Sequence, residues 1–444
     1  MDSPNANGHA NGYANGHTNG HTNGHTKPIL ILGAGISGLC FAQALRKNHP
    51  TTPFRIFERD AVFNQRTQGY RVRLESTGRD ALNACLSEEL FDRLEKSCAQ
   101  VPKGMGPVRL LDALTGEICE GLSFGDAPGR KVESMGSEPA PEAPDIVIET
   151  DKVALNLDRT VLRGVLIRGL EDYVEFGKEF VRFETTTEGV KVQFADGSEV
   201  EGCLLVGADG ARSKVRKQLV PEHEIVDTGG RFIYGKTMIT PQLLEKYGNK
   251  PSEGLSMVFD RTGEVTTSLI VEPVRFKDNE FRSDLPEDYI YWLILARGDQ
   301  FEADDEKLLR LPPDEAAALS RKSSANWHSS FHTLFELQDV AKASIIRIIS
   351  VRPDIPVWDS SKHVTLIGDA AHAMSPTAGA GATTAIRDAV TLSQVLSEQG
   401  SFVENVAKYE SLMRAYAREV LNRSSKGGKL LFGMRPFEEL KALS

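Results

Sequence analysis

Cysteine is scarce in this chain, and its placement suits neither cross-linking nor zinc. The five residues Cys40, Cys85, Cys98, Cys119 and Cys203 are odd in number and no two form a C-x-x-C, which excludes a disulfide framework and a zinc knuckle. A reduced, cytoplasmic protein is expected. No long apolar run is present either. The nearest, Pro28 to Leu45, is interrupted by Gly33, Gly35 and Gly38, so no integral membrane segment is expected. The first 26 residues hold no apolar stretch of the kind a secretory signal needs. Basic charge is in deficit, 52 residues against 62 acidic for a net −10, which argues against a nucleic-acid partner. Small molecules remain. At 444 residues the chain is long enough for two or three domains with a sizeable core.

Residues 1 to 26 repeat Asn-Gly-His around His9, His17, His21 and His25. Asn and Gly disfavour regular structure and nothing there is apolar, so a disordered arm is expected, with loose metal binding as the other reading. Order begins at Lys27. Ile29 to Leu32 reads as a buried parallel strand, Leu39 to Arg46 as a helix and Phe54 to Phe57 as a second strand. A Gly-, Pro- and Glu-rich excursion runs from Phe124 to Pro144. Helical spacing follows over Thr160 to Tyr173, then a hairpin turning at Asp196-Gly197 and a strand to Val206. Further strands read at Leu255 to Phe259, Ser268 to Val271, Tyr289 to Leu295 and Val364 to Ile367. Helices read at Asp314 to Leu319, Ala380 to Leu396 and Val403 to Val420, with Ser424 to Lys429 breaking the last.

Three motifs carry chemistry. Gly33-Ala34-Gly35-Ile36-Ser37-Gly38 joins a strand to a helix, and Glu58 stands twenty residues after Gly38 at the end of the second strand. Such glycines allow a tight turn, close approach of a pyrophosphate and close helix packing, while the helix N-terminus attracts the phosphates. A carboxylate at Glu58 suits a ribose 2′-hydroxyl and repels a 2′-phosphate, so the tightly held nucleotide is FAD or NAD rather than NADP. The second motif is Val206-Gly207-Ala208-Asp209-Gly210-Ala211-Arg212-Ser213-Lys214-Val215-Arg216, the third Leu366-Ile367-Gly368-Asp369-Ala370-Ala371-His372, followed by Met374 to Ala382. Each places a carboxylate at a strand's carboxyl end, where α/β folds bind ligands. A nicotinamide dehydrogenase needs only the first motif; an extended ligand such as FAD needs more.

On these residues the chain resembles the class A, p-hydroxybenzoate-hydroxylase-like flavoprotein monooxygenases, whose three fingerprints stand here in order. The stretches Gln68 to Leu74, Asp158 to Arg163 and Ala385 to Ala389 are similar to soluble bacterial and fungal FAD-dependent members. The resemblance implies an α/β fold. A Rossmann-like FAD-binding domain, discontinuous in sequence (27–227, with an excursion near 100–150, and 345–400), would combine with a mixed-sheet substrate domain (228–344) and C-terminal helices (401–444). It implies FAD as cofactor, NADPH or NADH as co-substrate, and O2 with a small organic molecule as substrates of a monomer or homodimer. Hydroxylation or epoxidation of an aromatic or polyketide-like compound would run through a flavin C4a-hydroperoxide. The alternative is an FAD-dependent oxidase or dehydrogenase without oxygen insertion; a catalytically silent nucleotide-binding module is the third reading.

Carried over residue by residue, Gly33, Gly35 and Gly38 would line the pyrophosphate and Glu58 the ribose. Gly69, Arg159, Arg163, Asp209 and Asp369 would contact the cofactor, and Pro376, Gly379, Gly381 and Ala382 would lie along the flavin N1–C2=O edge. Ordinary surface arginines are the other reading of Arg159 and Arg163. Ala373 and Ala380 depart from the Pro and Gln that many members carry. Tyr234, with Met257, Tyr291 and Trp292, is the candidate for the substrate side; Tyr234 would hydrogen-bond or deprotonate a phenol, or else is core. His372 reads as structural rather than catalytic. His328 and His332, four apart, have no second motif to support a metal, and no metal site is expected.

Overall fold

The computed structural model describes residues 27–63, 71–100, 108–119, 154–247, 254–360 and 363–443. The histidine-rich arm, the 124–144 excursion and Gly69 lie outside the described residues. The first part of the chain runs β1 (Ile29–Leu32), α1 (Ile36–Asn48), β2 (Phe54–Glu58), β3 (Arg71–Leu74), α2 (Ser76–Cys85), α3 (Glu88–Lys96), β4 (Arg109–Asp112), β5 (Leu155–Asp158) and α4 (Arg159–Leu166). It continues through β6 (Val174–Phe176), β7 (Phe180–Thr186), β8 (Gly189–Phe194), β9 (Glu199–Gly202), β10 (Leu204–Gly207) and α5 (Lys214–Leu219). Helix α4 is shorter than its apolar spacing suggests. Gly169, at φ +72°, turns the chain out of the helix, and only a 3-10 turn, Glu171–Tyr173, follows.

The second part contains β11 (Ile225–Met238), α6 (Pro241–Tyr247), β12 (Ser256–Asp260), β13 (Thr267–Val274), β14 (Tyr289–Arg297), α7 (Asp305–Leu308), α8 (Pro313–Ser323), α9 (Ser329–Glu336) and β15 (Ser344–Val351). The last part adds β16 (Val364–Leu366), α10 (Asp369–His372), α11 (Gly381–Val395) and α12 (Phe402–Phe432).

Two sheets organise these elements. The first is parallel, in the order β16-β10-β1-β2-β6. Its central strands are apolar throughout because helices cover both faces. The second, β15-β11-β14-β13-β12-β4, is antiparallel except for the β12–β4 pair. Beyond a register shift between Asp227 and Arg231, its residues alternate between two faces. Ile233, Trp292 and Ile294 point to one face and pack with Phe331, Leu334 and Phe335 of α9. Phe232, Tyr234, Tyr289, Tyr291 and Leu293 point to the other. The antiparallel β3–β5 pair lies between the sheets, and β7-β8-β9 forms a satellite hairpin sheet.

Helix α12 runs unbroken through Ser424 to Lys429, where the sequence suggests a break. Gly427 and Gly428 are tolerated there because the helix presses against other chain segments. A Cβ on Gly427 would stand 2.9 Å from the Thr377 carbonyl oxygen, and one on Gly428 would stand 2.8 Å from Met434 Sδ. The helix ends at Gly433, left-handed at φ +64°, and Leu431 and Phe432 fold into the core on the tyrosine-bearing face of the second sheet.

Candidate functional site

The ends of β1, β10 and β16 are adjacent in the first sheet, so the three sequence motifs converge at its carboxyl edge. The turn after β1 is built on two obligatory glycines. Gly33 has φ +108°, and a Cβ there would lie 2.3 Å from the Ala208 carbonyl oxygen of the second motif. A Cβ on Gly38 would lie 2.1 Å from the Gly33 carbonyl oxygen. Gly35 differs: nothing lies within 4 Å of its Cβ position, and it starts α1 with no side-chain cap. An open backbone face with uncapped N–H groups is what a pyrophosphate requires. Glu58 closes the turn, its carboxylate accepting from Ala34 N at 2.9 Å and Asp60 N at 3.0 Å.

In the second motif, Asp209 Oδ2 accepts from the backbone N–H groups of Lys214 (2.8 Å) and Val215 (3.3 Å). Its Oδ1 is buried without a hydrogen-bond partner. Burial raises the carboxyl pKa, against the pull of Ser213 and the backbone donors. A buried acceptor left open on a ligand-binding edge fits a bound hydroxyl.

Arg216 ties this motif to the third. Its guanidinium, 1% exposed, donates to the carbonyls of Ala211 (2.7 Å) and Ala370 (2.9 Å). His223 Nε2 adds a 2.7 Å contact to the Ala371 carbonyl. Arg216 closes the second motif, where the sequence assigns it no role; His223 lies beyond that motif, and the only signal for it is a histidine downstream of an Asp-Gly turn.

Asp369 stands at the head of α10. Enclosure by protein raises its pKa, while His372, Arg159 and Arg216 are near enough to draw it down. Arg159 is half-buried at the start of α4. Arg163 points elsewhere. Its buried guanidinium grips the Ala34 carbonyl at 3.0 Å and stacks over Phe63 at 4.7 Å, bracing the dinucleotide turn from behind.

His372 is fully buried, with Nε2 2.7 Å from Asp388 Oδ2. The same carboxylate accepts from Gly368 N at 2.6 Å and from the Tyr416 hydroxyl. Burial opposes a charged ring at His372, but Asp388 outweighs it and raises the pKa. The histidine thus fastens the turn of the third motif to α11 and α12, in keeping with a structural role. Pro376 opens a 3-10 turn, Gly379 is left-handed at φ +64° with open space around it, and Gly381 and Ala382 begin α11. That helix has no acidic residue in its first turn and no side-chain cap, so its N-terminal field is unopposed.

The second sheet presents residues in register. One row runs Met257, Ile270, Leu293, Tyr234, Ser344. To one side lies an apolar row, Phe259, Ser268, Leu295, Phe232, Ile346; Ser268 bonds the Leu431 carbonyl at the end of α12. To the other side lies Glu272, Tyr291, Lys236, packed under β3 and β5. There Arg71 pairs with Glu272 and stacks over Tyr291, and Arg73 stands 3.5 Å from Glu272. Tyr234 is 1% exposed, with its ring centre 5.8 Å from that of Tyr291. Met257 is half-buried on the same face. Trp292, also a candidate, is on the opposite face, bonded to Thr237 Oγ1 at 3.0 Å. His328 caps α9 through Ser330 N, and no group of three metal-ligating side chains exists among the described residues. Nor is any helix among them long and apolar enough to cross a membrane.

The uncrowded Gly35, the open Asp209 Oδ1 and the unopposed α11 terminus fit an extended dinucleotide carrying a flavin. Known proteins agree. A family model described as an FAD binding domain matches residues 321–425. The dual O-methyltransferase/FAD-dependent monooxygenase elcB of Phaeosphaeria nodorum is 37% identical over 458 residues, covering 93% of this chain and 47% of that protein. The FAD-dependent monooxygenase thnD of Trichoderma harzianum is 27% identical, covering 90% of this chain and 91% of that one. A crystal structure from Photorhabdus luminescens, assigned as an FAD-containing monooxygenase, superposes with a TM-score of 0.73 at 28% identity over 91% of this chain and 99% of that one. The chain spans about half the length (47%) of the first curated relatives it matches. By its three converging motifs, its fold and these relatives, the chain is similar over about nine-tenths of its length to FAD-dependent monooxygenases, and residues 321–425 match an FAD binding domain.

Proposed function

We propose that this protein uses NADPH or NADH and O2 to hydroxylate or epoxidise an electron-rich aromatic or polyketide-like small molecule. The observation that carries the reading is the meeting of three FAD-type strand ends on one edge, in a chain whose second sheet carries an apolar row and a tyrosine-lined polar row on one face. Bound FAD would supply the redox chemistry that links a nicotinamide to oxygen. The chain's residues bind and orient. Backbone N–H groups at Gly35 hold the pyrophosphate, Glu58 the adenosine ribose, and Asp209 and Asp369 the remaining hydroxyls. Arg159 offers its charge at the cleft.

The N–H groups of Gly381 and Ala382 at the head of α11 would stabilise negative charge on the N1–C2=O edge, with Pro376 beside it. Tyr234 orients the substrate and holds or accepts its hydroxyl proton, with Met257, Ile270 and Leu293 giving the apolar floor. The name of the Phaeosphaeria relative couples oxygenation to O-methylation. A newly installed phenolic hydroxyl is a natural methyl acceptor, which favours an aromatic product. Five free cysteines, three of them buried, suit a reducing, cytoplasmic setting.

The test is the visible spectrum of the purified protein, followed anaerobically with NADPH and with NADH. Bands near ~450 nm that bleach are expected. Turnover under 18O-labelled oxygen with a panel of phenols then separates insertion from simple oxidation. Label in water or peroxide alone would favour an oxidase. A colourless protein that FAD cannot reconstitute would overturn the reading.

A further inference from the structure

Asp158 stands where the substrate sheet and the flavin-binding half meet, and each of its oxygens serves one side. Oδ1 caps α4, accepting from Thr160 N at 2.8 Å and Thr160 Oγ1 at 2.5 Å. Oδ2 accepts from Lys236 Nζ on β11 and from the Tyr289 hydroxyl on β14, both at 2.8 Å. The carboxylate is 2% exposed and the ammonium 12%, and Nζ lies 3.9 Å from the centre of the Tyr289 ring. Lys236 and the burial-opposing hydrogen bonds to Thr160 keep the acid ionised despite its burial, and Tyr289 remains a protonated donor.

A buried ion pair is a poor source of net stability, since well-packed apolar side chains of similar volume do as well. What such a pair supplies is register. Here the register is between named parts. Helix α4 begins with Arg159, whose charge is felt by Asp369, and one turn later Arg163 holds the Ala34 carbonyl of the dinucleotide turn. Lys236 lies in the row beside Tyr291 and Glu272, two residues beyond Tyr234 on the same face.

We propose that Asp158, with Lys236 and Tyr289, is a positioning group that fixes the flavin-facing end of α4 to the substrate sheet, so that the pose of the tyrosine rows sets the pose of Arg159 and the cofactor. The inference rests on FAD occupying the cleft. It does not depend on oxygen insertion.

The full-length protein carrying Lys236→Met, Asp158→Asn or Lys236→Arg tests it. Arg347→Met serves as comparator, because Arg347 is ion-paired to Asp305 at a cluster on the same sheet remote from α4. FAD affinity is read by fluorescence titration, flavin pose by visible circular dichroism, and folding by urea unfolding without FAD. Lys236→Met and Asp158→Asn should each weaken FAD binding about tenfold and alter the flavin dichroism; Lys236→Arg should restore both. Arg347→Met should lower stability with FAD affinity unchanged. If Lys236→Met and Asp158→Asn lose stability yet keep wild-type affinity and dichroism, the network is only structural and the proposal fails. A wild-type protein that takes up no FAD would instead overturn the cofactor reading, and this proposal with it.

Discussion

Acidification from pH 7 to pH 5 should loosen the turn that carries Asp369, and His223 sets the amount. The ring is buried against α10, and burial, with Arg216 and His372 nearby, holds its pKa down at about 4 against the opposing pull of the Ala371 carbonyl and Glu222. A histidine in the unfolded chain titrates near ~6.5. Between these values the folded ring stays neutral while the unfolded one takes up a proton. The unfolded state therefore binds more protons, and stability falls as pH falls. With these two pKa values the loss between pH 7 and pH 5 is about 2 kcal/mol, rising to about 3 kcal/mol at pH 4.

The assay is urea unfolding of the wild type and of His223→Gln at pH 7, 6 and 5. Glutamine can still donate to the Ala371 carbonyl but does not titrate, so other acid-sensitive groups cancel in the comparison. The wild type should lose about 2 kcal/mol more than the variant over that range. Parallel curves would refute the assignment of a neutral, buried ring to the folded state.

Substitution in the dinucleotide turn should separate ligand contact from architecture. Gly35→Ala should leave unliganded stability within about 0.5 kcal/mol and weaken FAD binding at least about tenfold, whereas Gly38→Ala should cost roughly 3 kcal/mol by overlap with Gly33; equal behaviour in unfolding and FAD titrations would contradict the geometry. Glu410, fully buried on α12, accepts from Trp358 Nε1 (2.7 Å), Ser360 Oγ (2.5 Å) and Thr365 Oγ1 (2.9 Å). Glu410→Ala should cost about 3 kcal/mol in urea unfolding by stranding those donors, and a neutral effect would show that water replaces the carboxylate. Tyr234→Phe should lower product formation about a hundredfold while FAD affinity stays at the wild-type value, and unchanged turnover would remove Tyr234 from the chemistry.

Local features were legible in the sequence. The strand-turn-helix around Gly33, Gly35 and Gly38 follows from short-range sterics, and Glu58 from the length of one βαβ unit. The strands ending at Gly207 and near Leu366 announce themselves by apolar runs cut off at Gly-Asp or Asp-Gly turns. The contacts that bind these pieces together were not legible, because they join residues far apart in the chain. Arg216 meets carbonyls more than 150 residues downstream, and Asp158 meets Lys236 and Tyr289 only once the second sheet is assembled. Sequence spacing alone also put Trp292 beside Tyr291 as a pocket candidate, although strand alternation sends the two to opposite faces. The run of Ser424 to Lys429 looked like a helix breaker because propensity carries no record of the close packing against Thr377 and Met434 that favours glycine.

The placement of β16 bears on how the protein is made. This strand completes the parallel sheet beside β10, about 160 residues earlier in the chain, with registers such as Leu205 opposite Val364. Tyr409 and Glu410 then clamp it from α12. During synthesis the edge of β10 waits unpaired while β11 to β15, all of the second sheet but β4, emerge from the ribosome. Pairings of such long sequence separation form slowly and leave apolar strands open to wrong partners in the interval. Cofactor capture must follow closure of this seam, so a supply of free flavin should raise the yield of finished protein by trapping the closed form rather than by guiding the early chain.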